Sequence, residues 1–400
     1  MTSTSPRPRH RATAPPPPRR PPASHPAAGR GGTLPLGETP AILAVRPDNI
    51  GDVVMIEPAL RALRRAAPGA RIDLLTSPAG AAVAPMIEAV DDTMAASVSW
   101  QDAHDRAVLP VEQLALVGRI AERRYDVAVI FTSFSQSPWP AAYVCALAGI
   151  PVRLGASREF GGALLTHWVD DLPDGVHQAD RALLLLRRVG VGAGASGVPR
   201  LTVPTWAARG GAAARPRAAG PYAVVLPGAS CASRRYPADR FAEVARGIAA
   251  SGRRVLVAGS RSEADLLERV RAGAGADAVG LAGPLALPEL AALLRGADVV
   301  VTNNSGGAHL ADAVRPEPPG AAPAGRPWNG LVTLFAGTER ESEYAPRSGS
   351  ARVLRRPTSC SPCRAFTCPY GHECLDIPPA EVVAAAIRPG ERADAARAAS

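Results

Sequence analysis

The feature that most limits the fold is a repeated pairing of a short apolar run with an amphipathic stretch. AILAVRP (41–47) and YAVVLPG (222–228) are almost wholly apolar runs stopped by proline, and each precedes a helical pattern, Val53–Arg65 and Ala238–Ala250. Runs this short and this apolar suit strands covered on both faces, as in a parallel sheet. The alternation continues through RIDLLT (71–76), a helix near 109–123, YDVAVIF (125–131) and a helix near 139–148. It resumes with RRVLVAG (253–259), SEADLLERVRAG (262–273), LPELAALLRGA (287–297), DVVVTN (298–303), a helix after Gly306 and LVTLF (331–335). Repeated strand–helix units predict an α/β architecture of parallel sheets with helices on both faces. Four hundred residues suit two such domains, 41–205 and 221–390, with WAARGGAAARPRAAG (206–220) reading as the linker because it has no period. Two doubly wound domains place a ligand cleft outside the carboxyl ends of their strands.

Charge excludes some functions. All 45 basic side chains are arginine, which together with abundant Ala, Gly and Pro reflects composition bias as much as function. Residues 1–38 hold six arginines against Glu38 alone, which is five of the nine net charges. This Pro- and Arg-rich head is expected to be a disordered tail. The remaining charge is too small for a nucleic-acid partner, and no basic patch interleaved with aromatics supports one. The head lacks the apolar core of a secretory signal, and no run reaches the roughly 18–20 residues of a membrane span, so a cytoplasmic protein is expected. The arginines allow peripheral contact with a membrane surface.

Three stretches carry chemistry. In DNIGDVV (48–54) two aspartates flank the start of the first helix. Asp52 either caps that helix or serves as a base, with Asp48 as a bystander. ADVVVTNNSGGAHLADAV (297–314) ends a buried strand in Asn303, Asn304, Ser305, Gly306 and Gly307, with His309 in the first turn of the next helix. Small residues at a helix N-terminus expose N–H groups to an anion, although a serine-capped turn has the same appearance. LPGASCASRRYPADRF (226–241) again ends a strand in a small-residue loop, followed by Arg234 and Arg235. Arginine beside such a loop suits diphosphate recognition, although solvated arginines are common in so arginine-rich a chain. CSPCRAFTCPYGHECLD (360–376) gathers Cys360, Cys363, Cys368 and Cys374, with His372 nearby. The spacing admits a zinc or iron–sulfur site, but a structural clip without a catalytic role is the expectation.

NIGDVVMIEPALRAL, PGAS…RRYPADRFAEVA and NNSGGAHLA, in this order, resemble family 9 glycosyltransferases, the ADP-heptose:lipopolysaccharide heptosyltransferase family, from about Ala41 to Ile387. The resemblance implies a GT-B fold of two Rossmann-like domains facing a cleft, the acceptor on the first and the nucleotide-sugar on the second. It implies an inverting, metal-independent transfer without cofactor, from a donor such as ADP-heptose to a glycan or glycolipid acceptor of the lipopolysaccharide core type. Carried onto this chain, the base falls on Asp52 and the diphosphate-contacting cation, lysine in the heptosyltransferases, on Arg234. The hydroxyl-bearing loop position falls on Ser230, the phosphate turn on Ser305, Gly306 and Gly307 beside Asn304, and the family histidine on His309. The chain departs where heptosyltransferases read Asp-Thr-Gly and it reads Asn304-Ser305-Gly306, which bears on donor identity. It also inserts RPEPPGAAPAGRPWNG (315–330), expected to form a flexible rim of the cleft. Alternatives are another GT-B transferase or an epimerase using a different sugar nucleotide, or a catalytically silent nucleotide-sugar binder, for which a base at Asp52 has no purpose.

Overall fold

A computed structural model describes residues 29–30, 32–101, 107–134, 136–214, 220–275, 278–283, 285–314 and 330–387. Among these residues the strands form two wholly parallel sheets. The first holds β1 (Gly29–Arg30), β2 (Ala41–Arg46), β3 (Arg71–Thr76), β4 (Asp92–Ala95), β5 (Val127–Ile130), β6 (Val152–Ala156) and β7 (His167–Val169), in the order β1-β7-β6-β5-β2-β3-β4. The second holds β8 (Tyr222–Leu226), β9 (Arg254–Gly259), β10 (Ala278–Ala282), β11 (Val299–Asn303), β12 (Gly330–Leu334) and β13 (Ala351–Leu354), in the order β10-β9-β8-β11-β12-β13. Each sheet starts at its centre, adds two strands on one side, then crosses back to add three on the other. That is the doubly wound order, and β1 only extends the first sheet beyond β7. The order reverses between β2 and β5 and again between β8 and β11. The loops leaving those four strands therefore border the two crevices where such folds take ligands.

The central strands coincide with the apolar runs because both of their faces are buried: β5, β8, β11 and β12 are buried at every position. Strands β4, β6 and β13 escape a reading by apolar run, because they lie at or near sheet edges and are partly exposed along their length. Two expectations are corrected. The head is not structureless through residue 38: Gly29 and Arg30 pair with His167 and Trp168, Leu34 is buried, and its N–H donates to the Val189 carbonyl at 3.0 Å. Residues 1–28 lie outside the described residues. The stretch 206–220 is not a plain linker either, since Thr205–Ala213 is a helix packed on the helix Leu287–Arg295. It shows no apolar stripe because its packing face is made of glycine and alanine. A Cβ on Gly211 would lie 2.7 Å from both the Ala292 Cβ and the Glu289 carbonyl oxygen. Residues 215–219 and the inserted segment 315–329 lie outside the described residues, and the rim expected there is among them.

The two halves meet through the N-termini of the helices Ile50–Ala66 and Gly306–Ala313. Around that contact the Leu201 N–H donates to the Ala313 carbonyl at 2.9 Å, the Gln178 amide to the Tyr344 hydroxyl at 3.0 Å and Arg347 to Asp180 at 2.8 Å. No helix among the described residues is long and apolar enough to cross a membrane.

Replacing Gly211 by alanine separates a docked helix from a loose linker by the sign of its effect. Helix propensity alone would make the variant more stable by about 1 kcal/mol. Overpacking against backbone should instead destabilise it by about 1–3 kcal/mol, read as a lower melting temperature.

Candidate active site

The first strand ends in a charge that its burial makes unusual. Arg46 closes β2 with 2% of its surface exposed, so its guanidinium needs anionic partners. Its Nη2 donates to Asp52 Oδ1 at 2.8 Å and to Ser133 Oγ at 2.6 Å, and its Nε lies 3.0 Å from Asp48 Oδ2. Burial would lower the Arg46 pKa, but Asp48 and Asp52 outweigh it and raise it. Asp48 is itself 8% exposed, accepts from the Gln136 amide at 2.6 Å, and has its carboxyl pushed up by burial against the pull of Arg46. Asp48 is therefore a member of a buried ion cluster rather than a bystander. Asp52 is not the helix cap either. Asn49 holds the N-cap position, without a side-chain cap bond, and Asp52 lies in the first helical turn. One question posed by the sequence is thus settled by geometry: the Asp52 carboxylate bonds an arginine and leaves the helix end uncapped.

Across the contact between the halves, Gly51 faces the His309 ring so closely that a Cβ there would lie 2.8 Å from His309 Cδ2. A Cβ on Gly306 would meet Ile50 Cβ at 3.1 Å and the Gly51 nitrogen at 3.3 Å. These glycines let two helix N-termini approach, and they bring Asp52 beside His309. Burial lowers the His309 pKa; Asp312 and Asp52 oppose this, and Arg234 adds to it. Ser305 is the N-cap of the helix but makes no side-chain cap bond. A Cβ on Gly307 would lie 2.8 Å from Leu226 Cδ1, so this glycine fits the helix against β8. The neighbouring asparagines hold the strand ends. Asn303 accepts from the Tyr236 N–H at 3.0 Å and donates to the Pro227 carbonyl at 2.8 Å, while Asn304 Oδ1 accepts from the Ala336 N–H at 2.9 Å. Asn304 is buried, and its Nδ2 has no hydrogen-bond partner among the described residues.

Arg234 ends a short helical turn after β8 and points at the loop leaving β12. Its Nε donates to Thr338 Oγ1 at 3.1 Å and its Nη2 to Glu339 Oε1 at 2.5 Å. Burial pushes the Glu339 carboxyl up to about 7; Arg234 pulls it down and Asp52 pushes it further up. Ser230 is exposed on the loop between, and Arg235 turns back to the Ala229 carbonyl at 2.9 Å instead of facing Glu339. The cysteine-rich segment lies behind Arg234. Ser233 donates from its N–H to the Phe366 carbonyl at 3.1 Å and from its hydroxyl to the Ala365 carbonyl. The Cys363 and Arg364 N–H groups donate to the Gly337 and Thr338 carbonyls at 3.0 and 3.1 Å. All six cysteines are free thiols, and no group of three or more His, Cys, Asp or Glu among the described residues is arranged to hold a metal.

Residues 113–373 match the family model Glycosyltransferase family 9 (heptosyltransferase). The chain belongs to glycosyltransferase family 9. It is a glycosyltransferase of the heptosyltransferase family, and its two facing sheets are those of a GT-B fold. Escherichia coli ADP-heptose LPS heptosyltransferase II shares 24% identity over 86% of this chain and 96% of its own, with a TM-score of 0.66. A family 9 glycosyltransferase of Veillonella parvula DSM 2008 shares 18% identity over 86% of this chain and 95% of its own, with a TM-score of 0.67. E. coli heptosyltransferase WaaC with ADP-2-deoxy-2-fluoro heptose shares 22% identity over 86% and 97%, with a TM-score of 0.59. No curated protein matches the sequence.

The fold of this family 9 chain thus collects Asp52, His309 and Arg234, while Ser230 remains exposed and the backbone of the cysteine-rich segment bonds Ser233, Gly337 and Thr338. Reading the sequence missed Arg46, Ser133, Thr338 and Glu339. One had a usable signal: Arg46, an arginine closing an otherwise apolar strand.

Arg46→Met leaves the buried Asp48 and the half-buried Asp52 carboxylates without their shared cation, and breaking a buried pair from one side costs about 3–5 kcal/mol. The loss should be largest at pH 8. A carboxyl whose folded pKa is raised binds its proton in the native state first, so stability returns as pH falls. Denaturant melts at pH 8 and pH 5 check this. An equal loss at both would show that Arg46 contributes packing and not charge.

Proposed function

We propose that the chain moves a heptose-like sugar from a nucleotide-diphosphate donor of the ADP-heptose type to a hydroxyl of a glycan acceptor of the lipopolysaccharide-core kind, in one inverting, metal-independent step. The observation that carries this reading is the meeting of the two switch-point crevices: Asp52 from the first half stands beside His309 and within electrostatic reach of Glu339, the partner of Arg234, from the second. The names of the similar structures, one of them holding an ADP-heptose analogue, favour an adenine nucleotide and a heptose.

The chemistry follows from the charges. Arg46 bonds Asp52 Oδ1 and leaves the second carboxylate oxygen to take the proton of the acceptor hydroxyl. The acceptor's hydroxyl oxygen, as it gives up that proton, attacks the anomeric carbon while the bond to the diphosphate breaks, and the bonding pair leaves on the diphosphate. Arg234, the N–H groups of the Ser305–Gly307 turn and the free Asn304 Nδ2 can stabilise the charge that develops there.

Two variants test the roles separately. Asp52→Asn keeps an oxygen for Arg46 but cannot take the proton, so turnover should fall on the order of 10²–10⁴-fold with donor affinity nearly unchanged. Wild-type turnover in this variant, with the true donor and acceptor, would assign the base elsewhere.

Arg234→Ala removes a charged donor, a class of hydrogen bond worth roughly 1.5–3 kcal/mol. Titration calorimetry should show nucleoside diphosphate binding weakened by about ten- to hundredfold. Unchanged affinity would remove Arg234 from the donor site.

A further inference from the structure

Arg234 already has an anion. The carboxylate of Glu339 bonds its Nη2 at 2.5 Å, and the Thr338 hydroxyl accepts from its Nε at 3.1 Å. A diphosphate that takes this guanidinium must therefore displace one of them. Thr338 is buried and its carbonyl is tied to the Arg364 N–H, so it is held in place. Glu339 is partly exposed, on the rim of a cavity of about 890 Å³ that runs between the halves and is lined by His177, Arg340 and Arg347 among others. It can move.

We propose that Glu339 is an internal rival of the donor's diphosphate: it occupies Arg234 until a diphosphate arrives, and donor binding requires it to give up the guanidinium. The proposal rests on the reading of Arg234 as the diphosphate residue. Its electrostatic logic is direct. A carboxylate released from its cation next to two more negative charges would be repelled by the incoming phosphates and by Asp52. Taking up a proton on release removes that penalty. The groups that face Glu339 divide. Arg234 alone favours its charged form strongly, whereas Asp52 and Glu343 oppose it, and the Tyr344 hydroxyl, itself pushed up to about 12 by burial and by Glu339, stays neutral. Around the cavity, Arg340 is paired with Glu343, Arg347 with Asp180 and Arg355 with Glu341, so these cations are committed elsewhere. His177 is held neutral by burial, with a pKa lowered to about 4. Burial brings the Glu339 carboxyl to about 7, so the protonated fraction changes within the working range of pH. Glu339 is a positioning residue in this scheme, because it acts on the donor through Arg234.

The test compares wild type with Glu339→Gln by titration calorimetry at pH 6 and pH 8, using whichever of ADP, GDP and UDP the wild type binds most tightly. The ligand's own titration cancels in the ratio of the two dissociation constants. With a carboxyl titrating near 7, the charged rival is a minor species at pH 6 and the major one at pH 8. The ratio of wild type to E339Q should therefore rise from near one at pH 6 to about tenfold at pH 8. A ratio that does not change with pH, or weaker binding by E339Q at both pH values, would make Glu339 a scaffold for Arg234 and overturn the proposal. If E339Q does not fold, Glu339→Ala must show the same rise. Weakened binding in Arg234→Ala together with a flat ratio sinks this inference alone. Unchanged binding in Arg234→Ala, or no binding of any of the three nucleotides by the wild type, sinks the reading beneath it.

Discussion

The contact of Gly51 with His309 and of Gly306 with Ile50 is the constraint on which the rest of the site depends. Each half of the chain has its own switch point, and a switch point by itself holds only half of a transfer reaction. Joining them requires the N-termini of two helices to come within van der Waals contact, which a side chain at either glycine would prevent. Because those N-termini follow β2 and β11 directly, the approach also brings together the loops that leave the centres of both sheets.

The charged groups at this meeting point are arranged in compensating sets. Arg46 is shared between Asp48 and Asp52 on one side, and Arg234 is held by Glu339 on the other. Burying any of these alone would cost several kcal/mol, so the fold tolerates them only in combination. Compensation has a chemical consequence: neither the candidate base nor the candidate diphosphate residue is free of a partner, and each must exchange or share it during a reaction. The cysteine-rich segment belongs to the same logic. Its backbone holds Ser233 and Thr338, the neighbours on either side of the Arg234–Glu339 pair. It ties the loop after β8 to the loop after β12.

Much of the fold was legible because its central strands are buried on both faces, and that burial appears as a continuous apolar run. The runs at 41–46, 222–226 and 299–303 became the paired centres of the two sheets. Edge strands such as β13 carry no such mark. The helix 205–213 was illegible for the opposite reason: its contact face is made of glycine and alanine, which pack closely yet leave no hydrophobic period. In the site, Asp52, Arg234 and His309 could be named from motifs at strand ends, whereas Glu339 sits in a stretch, TERESEY, whose charges resemble any solvated loop.

The sequence by itself determined where the central strands lie, where the small-residue loops follow them, and which family they belong to, because these are local properties of burial, period and motif. The tertiary structure alone decided that Asp52 bonds Arg46 instead of capping its helix, that Asp48 is part of the same buried cluster, and that Arg234 already holds a carboxylate. The physical reason is that each of these pairs is a choice among many charged side chains of this arginine-rich chain. Only the strand order, which sets which loops leave neighbouring strand ends, and the glycine contact between the halves select the partners.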